Sequence, residues 1–412
     1  MTGPASSRAD FLRANSPWLA AGLLLAFSSS FGQTYFIAMF AEPLRQTFGL
    51  THGEWGRLYT IATLCSAVAL VLAGRFADQF RVRTIAFVVL GLFALVCVAM
   101  ANVQSVLMLG FVIFGLRFCG QGMMSHISMT AMGRWFVRTR GRAVAFAALG
   151  YPLGEALFPF AAVALSVSLG WRETWLVAAA VLAFGFAPLL AFLLRRERSP
   201  AGDRGDDEFS PGLAGHHWSR PEVLRHGIYW ALMPGVMAPP FISTALFFHQ
   251  AHVVAIKQWD LVVYAAAFPL FSLAGILSGL ASGVLIDRFG TPRLLPFYLL
   301  PLGGALLLLG SIEGAWTMFP YLALIGMTTG VGSTVLGALW AELYGTRNLG
   351  SIRALAVAGM VFGTALGPGV TGSLIDAGIG FRLQCIFMAF YIVLVSVIFV
   401  RLAAKIRGQM LA

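Results

Sequence analysis

The chain has 412 residues, of which 58% are hydrophobic and 11% are charged, and its formal net charge is +11. A soluble domain usually carries about 25% charged residues, so this composition indicates lipid as the surrounding medium. The basic residues lie in short blocks between long apolar runs, which argues against a nucleic-acid partner. The four cysteines form no C-x-x-C pair. The sequence therefore predicts neither a disulfide framework nor a metal site.

Twelve apolar runs follow one another along the chain, each near the length of about 20 residues that a helix needs to cross a bilayer. They do not alternate in polarity, so they predict helices and not barrel strands. The sequence predicts an all-α membrane protein with twelve transmembrane helices. The expected spans are 17–41, 55–77, 84–100, 105–132, 142–166, 171–194, 227–251, 260–286, 293–311, 316–341, 352–376 and 381–403.

A polar segment rich in Gly, Pro and charge divides the spans six and six. The predicted domains are a first six-helix bundle at residues 1–194, a cytoplasmic linker at 195–225 and a second bundle at 226–412. A shift of 209 residues aligns the two halves, so that Arg138 to Pro159 matches Arg347 to Pro368. Because each half has an even number of spans, we expect two pseudo-symmetric bundles that run parallel in the membrane.

The basic residues predict the orientation. If both termini are cytoplasmic, 22 of the 28 basic residues lie in cytoplasmic segments and five in outer segments. This asymmetry follows the positive-inside rule. The first apolar run has no clear cleavage site, so it is interpreted as a membrane span and not as a signal peptide. We therefore expect a multi-pass protein of the cell inner membrane with both termini inside.

The first span of each half contains residues that weaken a helix. Span 7 carries Pro234, Pro239 and Pro240, and span 1 carries a run of three serines before Phe31-Gly32. Proline removes backbone hydrogen bonds, and glycine and serine tolerate bending. Paired interruptions of this kind favour gating helices around a site near the membrane midplane. Two bundles that rock about such a site would expose a solute to one side at a time.

Two loops resemble the signature of the major facilitator superfamily, G-x-x-x-D-[RK]-x-G-x-[RK]-[RK]. The first copy begins at Gly74 and includes Asp78, and the second begins at Gly283 and includes Asp287 and Arg288. Span 4 carries an Arg-plus-glycine sequence that begins at Arg117 and is similar to another motif of the family. The resemblance covers all twelve spans and implies solute transport by alternating access.

In the family, contacts of this loop close the cytoplasmic side, so the resemblance implies a conformational role for seven residues. They are Gly74, Asp78, Arg134, Arg138, Gly283, Asp287 and Arg288. An Asp in this position can pair with a nearby Arg or cap a helix. Glu342, at the end of span 10, is expected to form a structural ion pair near Arg347 and Arg353. Around Arg134 and Arg140, the sequence is weakly similar to bacterial organic-anion and monocarboxylate porters.

Charged residues inside a span are costly and mark candidate functional sites. Arg117 comes about 12 residues into span 4, or roughly 18 Å from its start, and Gln121 shares its face one turn on. Glu155 lies at a similar depth in span 5. These two charges favour a pair, in which protonation of Glu155 would free Arg117 to hold a substrate anion. That hypothesis predicts proton-coupled symport.

Three further residues are candidates for the same site. His126 lies two turns beyond Arg117 and is a candidate proton relay, because the ordinary pKa of histidine is about 6.5. Gln33 and Tyr35 follow the weak point of span 1 and are candidate substrate-binding residues. A packed, purely structural histidine is the competing interpretation of His126.

Other classes of function fit less well. Neither lysine follows a glycine, so no Walker motif for ATP is present, and no catalytic set indicates an enzyme or a cofactor. A channel would not need a two-fold repeat with paired hinges.

Within transport, the buried arginine favours a small organic anion such as a carboxylate. A proton-driven exporter of hydrophobic or cationic compounds and an importer of a neutral aromatic nutrient such as a vitamin stay open. One chain supplies both halves, so a functional monomer is expected.

Overall fold

The computed structural model describes residues 8–74, 76, 80–136, 139–195 and 210–411, and all regular structure in these residues is helical. The α-helices of the first half are α1 (Arg8–Ser28), α2 (Thr34–Ile37), α3 (Ala41–Phe48), α4 (His52–Ala73), α5 (Val82–Ala101), α6 (Val106–Leu116), α7 (Ser125–Trp135), α8 (Arg140–Ala148), α9 (Gly150–Leu169), α10 (Trp171–Ala180) and α11 (Ala187–Leu193). The π-helical segment Arg117–Met124 joins α6 to α7, and the π-helical segment Val181–Phe186 joins α10 to α11.

The second half has ten described α-helices, and short 3₁₀ turns connect several of the elements in both halves. The α-helices are α12 (Arg220–Arg225), α13 (Gly227–Phe248), α14 (Gln250–Ile256), α15 (Leu261–Ala266), α16 (Phe268–Phe289), α17 (Thr291–Leu294), α18 (Leu300–Ser311), α19 (Met318–Tyr344), α20 (Leu349–Asp376) and α21 (Phe381–Leu411). The 3₁₀ turns are Ser29–Gly32, Ala38–Phe40, Leu213–Gly215 and Ala315–Thr317.

Ten helices in the described part of the chain are long and apolar enough to cross a membrane. The first predicted span is a bent pair, in which Asn15–Gly32 and Thr34–Phe48 meet at 41°. The ninth is interrupted, because α17 ends at Leu294 and α18 has only 12 residues. Pro296 stands in the intervening turn, where its missing N–H and fixed φ oppose a continuous helix. The count of twelve spans therefore stays a prediction.

Internal contacts divide the chain into two compact units. Unit 1 comprises Met1–Ile37 and Ala62–Gly205, and unit 2 comprises Ala38–Ile61 and Asp206–Ala412. The division passes through the continuous helix α4. One of the cysteines, Cys65, lies on α4 just after this point and is exposed, whereas the other three cysteine side chains are buried.

The segment Ala38–Ile61 belongs to unit 2 through contacts with α13 and α20. The backbone N–H of Gly53 donates to the Asp376 carboxylate over 2.8 Å. The Thr60 hydroxyl donates to the carbonyl oxygen of Ala365 over 2.7 Å. These bonds join the start of α4 to α20, and a stacked pair of aromatic rings joins it to α13. No local feature of the sequence indicates these pairings.

Residues 210–226 are bonded to other parts of unit 2. Ser210 and Thr346 exchange two hydrogen bonds of 2.9 Å, from the N–H of Ser210 to the Thr346 hydroxyl and from the N–H of Thr346 to the carbonyl of Ser210. The Asn348 side-chain amide donates to the carbonyl of Trp218 over 2.9 Å. The described part of the predicted linker is thus bonded to the loop between α19 and α20.

Candidate functional site

The first span is interrupted at Gln33, and a buried arginine lies at the interruption. Gln33 has φ −83° and ψ 153°, an extended conformation between the 3₁₀ turn Ser29–Gly32 and α2. Arg117 is 1% exposed. Its Nη1 donates to the carbonyl oxygen of Gly32 over 3.1 Å and to the Thr34 hydroxyl over 3.3 Å. A buried charge needs such bonds, and a broken helix needs donors for its carbonyls.

Arg117 begins a π-helical segment whose backbone touches the interrupted span. A Cβ atom added to Gly120 would lie 2.6 Å from the Cα atom of Gly32, so both glycines are required for this approach. The approach also puts the backbone of Gln121 beside Gly32. π-Helical turns frequently occur at functional sites. The sequence shows the glycines, but it does not predict the π-helix.

The predicted substrate-binding residues of unit 1 lie around this interruption. Gln33 and Gln121 are half-buried, and Tyr35 is buried. The Gln33 side chain donates to the Ser29 hydroxyl over 3.4 Å. From the other side, a Cβ atom at Gly154 would lie 3.2 Å from the Tyr35 hydroxyl oxygen. The structure therefore brings Gln33, Gln121, Tyr35 and Arg117 together, and their role in binding stays a prediction.

Glu155 approaches the same segment from α9. It follows Gly154, which packs against Ser30 and Tyr35, and its side chain is half-buried. Arg117 and α9 thus both reach residues 29–35, where the first span is interrupted. The predicted pair between the Arg117 and Glu155 charges stays a prediction.

His126 is bonded to the end of α4. Its Nε2 lies 3.1 Å from the carbonyl oxygen of Gly74. A carbonyl can only accept, so Nε2 carries the proton in this bond. Gly74 itself ends the helix, since its N–H donates to the carbonyl of Leu70 over 2.7 Å. This contact gives His126 a structural role, and its role as a proton relay stays a prediction.

The first loop motif is only partly described by the structure. Asp78 and Arg138 lie outside the described residues. Arg134 Nη1 donates to the carbonyl oxygen of Phe80 over 3.5 Å, so this arginine contacts the loop that follows α4. Its predicted conformational role stays a prediction.

The second loop motif ends α16. A Cβ atom added to Gly283 would lie 4.0 Å from the Thr334 side chain on α19. Asp287 is exposed, and the Arg288 guanidinium lies 5.2 Å from the centre of the Phe289 ring. Glu342 of α19, for which the sequence predicts an ion pair near Arg347 and Arg353, bonds α19 to this loop. The Glu342 carboxylate accepts a 2.6 Å hydrogen bond from the Thr291 hydroxyl.

The three prolines of span 7 lie inside α13, which continues through them. Pro239 has no N–H to donate to the carbonyl of Gly235, four residues earlier. The Tyr298 hydroxyl donates to that carbonyl oxygen over 2.6 Å. Pro239 and Pro240 also line a cavity of about 550 Å³, called here the unit 2 cavity, between α13, α19 and α20. The gating role of Pro234, Pro239 and Pro240 stays a prediction.

Comparisons with known proteins agree on the family. The model of the Major Facilitator Superfamily matches residues 22–309 and 241–409. An uncharacterized MFS-type transporter, YhjX of Escherichia coli, is 23% identical over 81% of this chain and 82% of its own. The 4-hydroxybenzoate transporter PcaK of Pseudomonas aeruginosa is 24% identical over 83% of this chain and 82% of its own. The probable sulfoacetate transporter SauU of Cupriavidus necator is 24% identical over 61% of this chain and 60% of its own.

Solved structures show the same fold at low identity. A bacterial homolog of the human lysosomal transporter Spinster, in an inward-facing and unoccupied conformation, superposes with a TM-score of 0.70 at 15% identity. That match covers 96% of this chain and 98% of the other. The nucleoside transporter NupG superposes with a TM-score of 0.67 at 10% identity, over 95% and 99% of the two chains. This chain belongs to the Major Facilitator Superfamily and is a multi-pass secondary transporter of that family.

Proposed function

We propose that the protein moves a small organic anion, such as a carboxylate, by proton-coupled alternating access. The observation that carries the proposal is the position of Arg117, buried at the interruption of the first span. A guanidinium remains charged at all physiological pH values and offers several donors in a fork that matches a carboxylate. A charge kept inside a membrane span is a functional candidate by default.

The names of two relatives support the choice of an organic anion. PcaK is described as a 4-hydroxybenzoate transporter and SauU as a probable sulfoacetate transporter, and both solutes carry acidic groups. Both relatives are only 24% identical to this chain. The proposed class of solute therefore depends mainly on the residues of this chain, above all on Arg117.

Coupling to protons is proposed for Glu155. Its neighbour Gly154 packs on Ser30 and Tyr35, in the segment that also receives the Arg117 bonds. Protonation of Glu155 would remove a negative charge near this segment and favour entry of an anion beside Arg117. Release of the proton would restore the charge and favour release of the anion. The two half-reactions give symport of one proton with the anion.

The membrane arrangement belongs to the same proposal. We infer that both termini face the cytoplasm, that the bundles 1–194 and 226–412 flank the linker 195–225, and that a monomer in the cell inner membrane is functional. Reporter fusions test the orientation: green fluorescent protein on the C-terminus should fluoresce, and alkaline phosphatase there should be inactive. The reverse result would overturn the orientation.

Binding to purified protein tests the anion assignment. A ligand that binds the folded state raises the melting temperature, so benzoate, succinate, a vitamin and a cationic dye are compared on the wild type. We expect stabilisation by a carboxylate in the wild type, less in Arg117→Lys, and none in Arg117→Gln. Arg57→Gln is the matched control, because Arg57 is an exposed arginine of α4. Stabilisation by the neutral or cationic compound alone would favour the nutrient or exporter alternative and contradict an organic anion.

Transport into proteoliposomes tests the coupling. With an inward proton gradient, the wild type should accumulate the carboxylate, and Glu155→Gln should exchange it across the membrane without accumulating it. Gradient-driven accumulation by Glu155→Gln would exclude Glu155 as the coupling residue.

A further inference from the structure

An apolar cavity of unit 1 lies beside the first turns of α5, where the end of α4 and the π-helical segment Arg117–Met124 meet this helix. Its volume is about 440 Å³. The buried side chains of Ile85, Val89 and Met123 form its floor. Val88 and Leu92 line its edge and are exposed. The cavity is therefore a groove that opens to the surface of the unit, and it is called here the α5 groove.

The groove follows one face of α5 and begins beside an arginine. Four residues have the spacing i, i+4, i+7 and i+11 of that face: Arg81, Ile85, Val88 and Leu92. Arg81 immediately precedes α5, and its side chain is exposed. Leu95 continues the same face and is exposed as well, so the face presents apolar side chains to the acyl chains of the membrane. An apolar groove thus runs along a lipid-facing helix with a cation at one end.

The length of the groove matches the depth of one lipid leaflet. From Arg81 to Leu92 the chain rises about 16 Å, at 1.5 Å per residue of helix. The hydrocarbon core of a bilayer is about 30 Å thick, so one leaflet contributes about 15 Å. Helix α5 is the third predicted span, and it begins at the predicted cytoplasmic end. With Arg81 at the depth of the headgroups, Leu92 lies near the midplane, and the groove has the length of an acyl chain of the inner leaflet.

The charge at this end of the groove favours an anionic headgroup. Residues 74–84 contain three arginines and one aspartate, so the formal charge of this segment is +2. Arg134 adds a further guanidinium, because its Nη1 donates to the carbonyl oxygen of Phe80, which lines the groove and precedes Arg81. Basic pockets at the cytoplasmic ends of transmembrane helices bind the headgroups of anionic phospholipids. A guanidinium also offers a phosphate two N–H groups in a matching geometry.

We propose that the α5 groove binds an anionic phospholipid of the inner leaflet, with its phosphate beside Arg81 and one acyl chain along Val88 and Leu92. The floor of the groove includes Met123 of the π-helical segment. The bound chain therefore packs against α5 and against this segment at the same time, and it stabilises the contact between them. The inference uses the proposed orientation of the chain in the membrane, and it is independent of the solute that the protein moves.

Titration of the purified full-length protein with defined lipids in a neutral detergent tests the site. The probes are phosphatidylglycerol and phosphatidylcholine with the same acyl chains, and glycerol 3-phosphate, which has the phosphate without the chains. Native mass spectrometry measures the affinity of each lipid, and the melting temperature measures stabilisation by each probe. In the wild type, phosphatidylglycerol should bind about fivefold more tightly than phosphatidylcholine, as one arginine near a membrane surface provides. Glycerol 3-phosphate should leave the melting temperature unchanged, because it has no chain to fill the groove.

Two pairs of variants separate the headgroup from the acyl chain. Arg81→Gln should lower the affinity for phosphatidylglycerol about fivefold and leave that for phosphatidylcholine unchanged. Arg83→Gln is its control, because Arg83 is exposed but lies about 200° further around the helix. Val88→Trp should weaken the binding of both lipids, because the larger side chain occupies the groove. Val71→Trp is its control, since Val71 is an exposed residue of α4 that does not line the groove.

Four results would overturn the proposal. Equal losses in Arg81→Gln and Arg83→Gln would indicate a diffuse attraction of the basic segment and no defined headgroup site. Equal affinity of the wild type for the two lipids would exclude recognition of an anionic headgroup. Stabilisation by glycerol 3-phosphate as large as that by phosphatidylglycerol would assign the site to a free phosphate compound. Wild-type lipid affinity in Val88→Trp would exclude the groove as the position of the acyl chain.

Discussion

The hydroxyl of Tyr298 replaces the backbone donor that Pro239 removes from the carbonyl of Gly235. Tyr298 and Gly235 are 63 positions apart, and the hydrogen bond between them is 2.6 Å long. Tyr298 lies in the turn between α17 and α18, and its side chain is 1% exposed. A proline that would otherwise leave a buried acceptor without a partner is thus tolerated inside α13.

Removal of this hydroxyl should destabilise the protein. Tyr298→Phe leaves the carbonyl of Gly235 unsatisfied, which costs about 1–3 kcal/mol. Thermal unfolding in detergent measures the change. Tyr391→Phe is the matched control, since its hydroxyl donates to the carbonyl of Pro234 on the same helix over 3.0 Å but the side chain is 39% exposed. Equal losses for the two variants would contradict the role given to Pro239.

The contact between Gly120 and Gly32 should not tolerate a methyl group. In Gly120→Ala the new Cβ atom would lie 2.6 Å from Gly32 Cα and 2.7 Å from Phe93 Cζ, so the two segments must separate. Overpacking of this kind costs about 1–3 kcal/mol, and it should also lower transport. Gly91→Ala is the control, because a Cβ atom there meets nothing within 4 Å. A fully active and stable Gly120→Ala would show that this approach is not required.

His126 should be replaceable by another donor. His126→Gln can still donate to the carbonyl of Gly74, whereas His126→Ala cannot and should lose about 1 kcal/mol of stability. If the role is structural, gradient-driven uptake by His126→Gln should approach that of the wild type. Normal stability combined with a loss of proton coupling in His126→Gln would instead identify a proton relay.

Docking of residues 210–226 should weaken in acid. Burial lowers the pKa of His226 below its ordinary value, and the positive charge of Lys405 adds to the effect. The docked form therefore favours the neutral imidazole, which lies 3.2 Å from the Tyr344 hydroxyl. A histidine with a lowered pKa contributes stability above its unfolded value of about 6.5 and loses it as the pH falls below that value.

Hydrogen exchange measures this change. Amides 213–226 should exchange faster at pH 5 than at pH 7 after correction for intrinsic rates, roughly following the ordinary histidine titration. His226→Gln should exchange at a rate that depends little on pH in this interval. The same acid response in that variant would assign the effect to another group.

Much of the fold was predictable, because long apolar runs and loop motifs are local features. The sequence indicated an all-helical membrane protein of this superfamily, and the family match and the helices agree. It also placed Arg117 and Gln121 on one helical face. Their approach to Gln33 and Tyr35 was expected only from the functional hypothesis, since span 1 and span 4 are far apart in sequence.

Other features depend on long-range contacts and have no local signal. The π-helix that begins at Arg117 accompanies the backbone approach at Gly32. The bond from Gly53 to Asp376 joins residues 323 positions apart, and no helical period predicts it. The interruption of the ninth predicted span is different, because Pro296 was a visible signal in an otherwise apolar run.

Helix α4 offers a natural position for a spectroscopic label. It passes from unit 2 into unit 1 between Ile61 and Ala62, and Cys65 follows within one turn. Because the other three thiols are buried, a membrane-soluble maleimide or nitroxide reagent should reach Cys65 first in the detergent-solubilised protein. The label would report on a continuous helix that runs from one unit into the other, so a transport cycle could be followed without first removing the native cysteines.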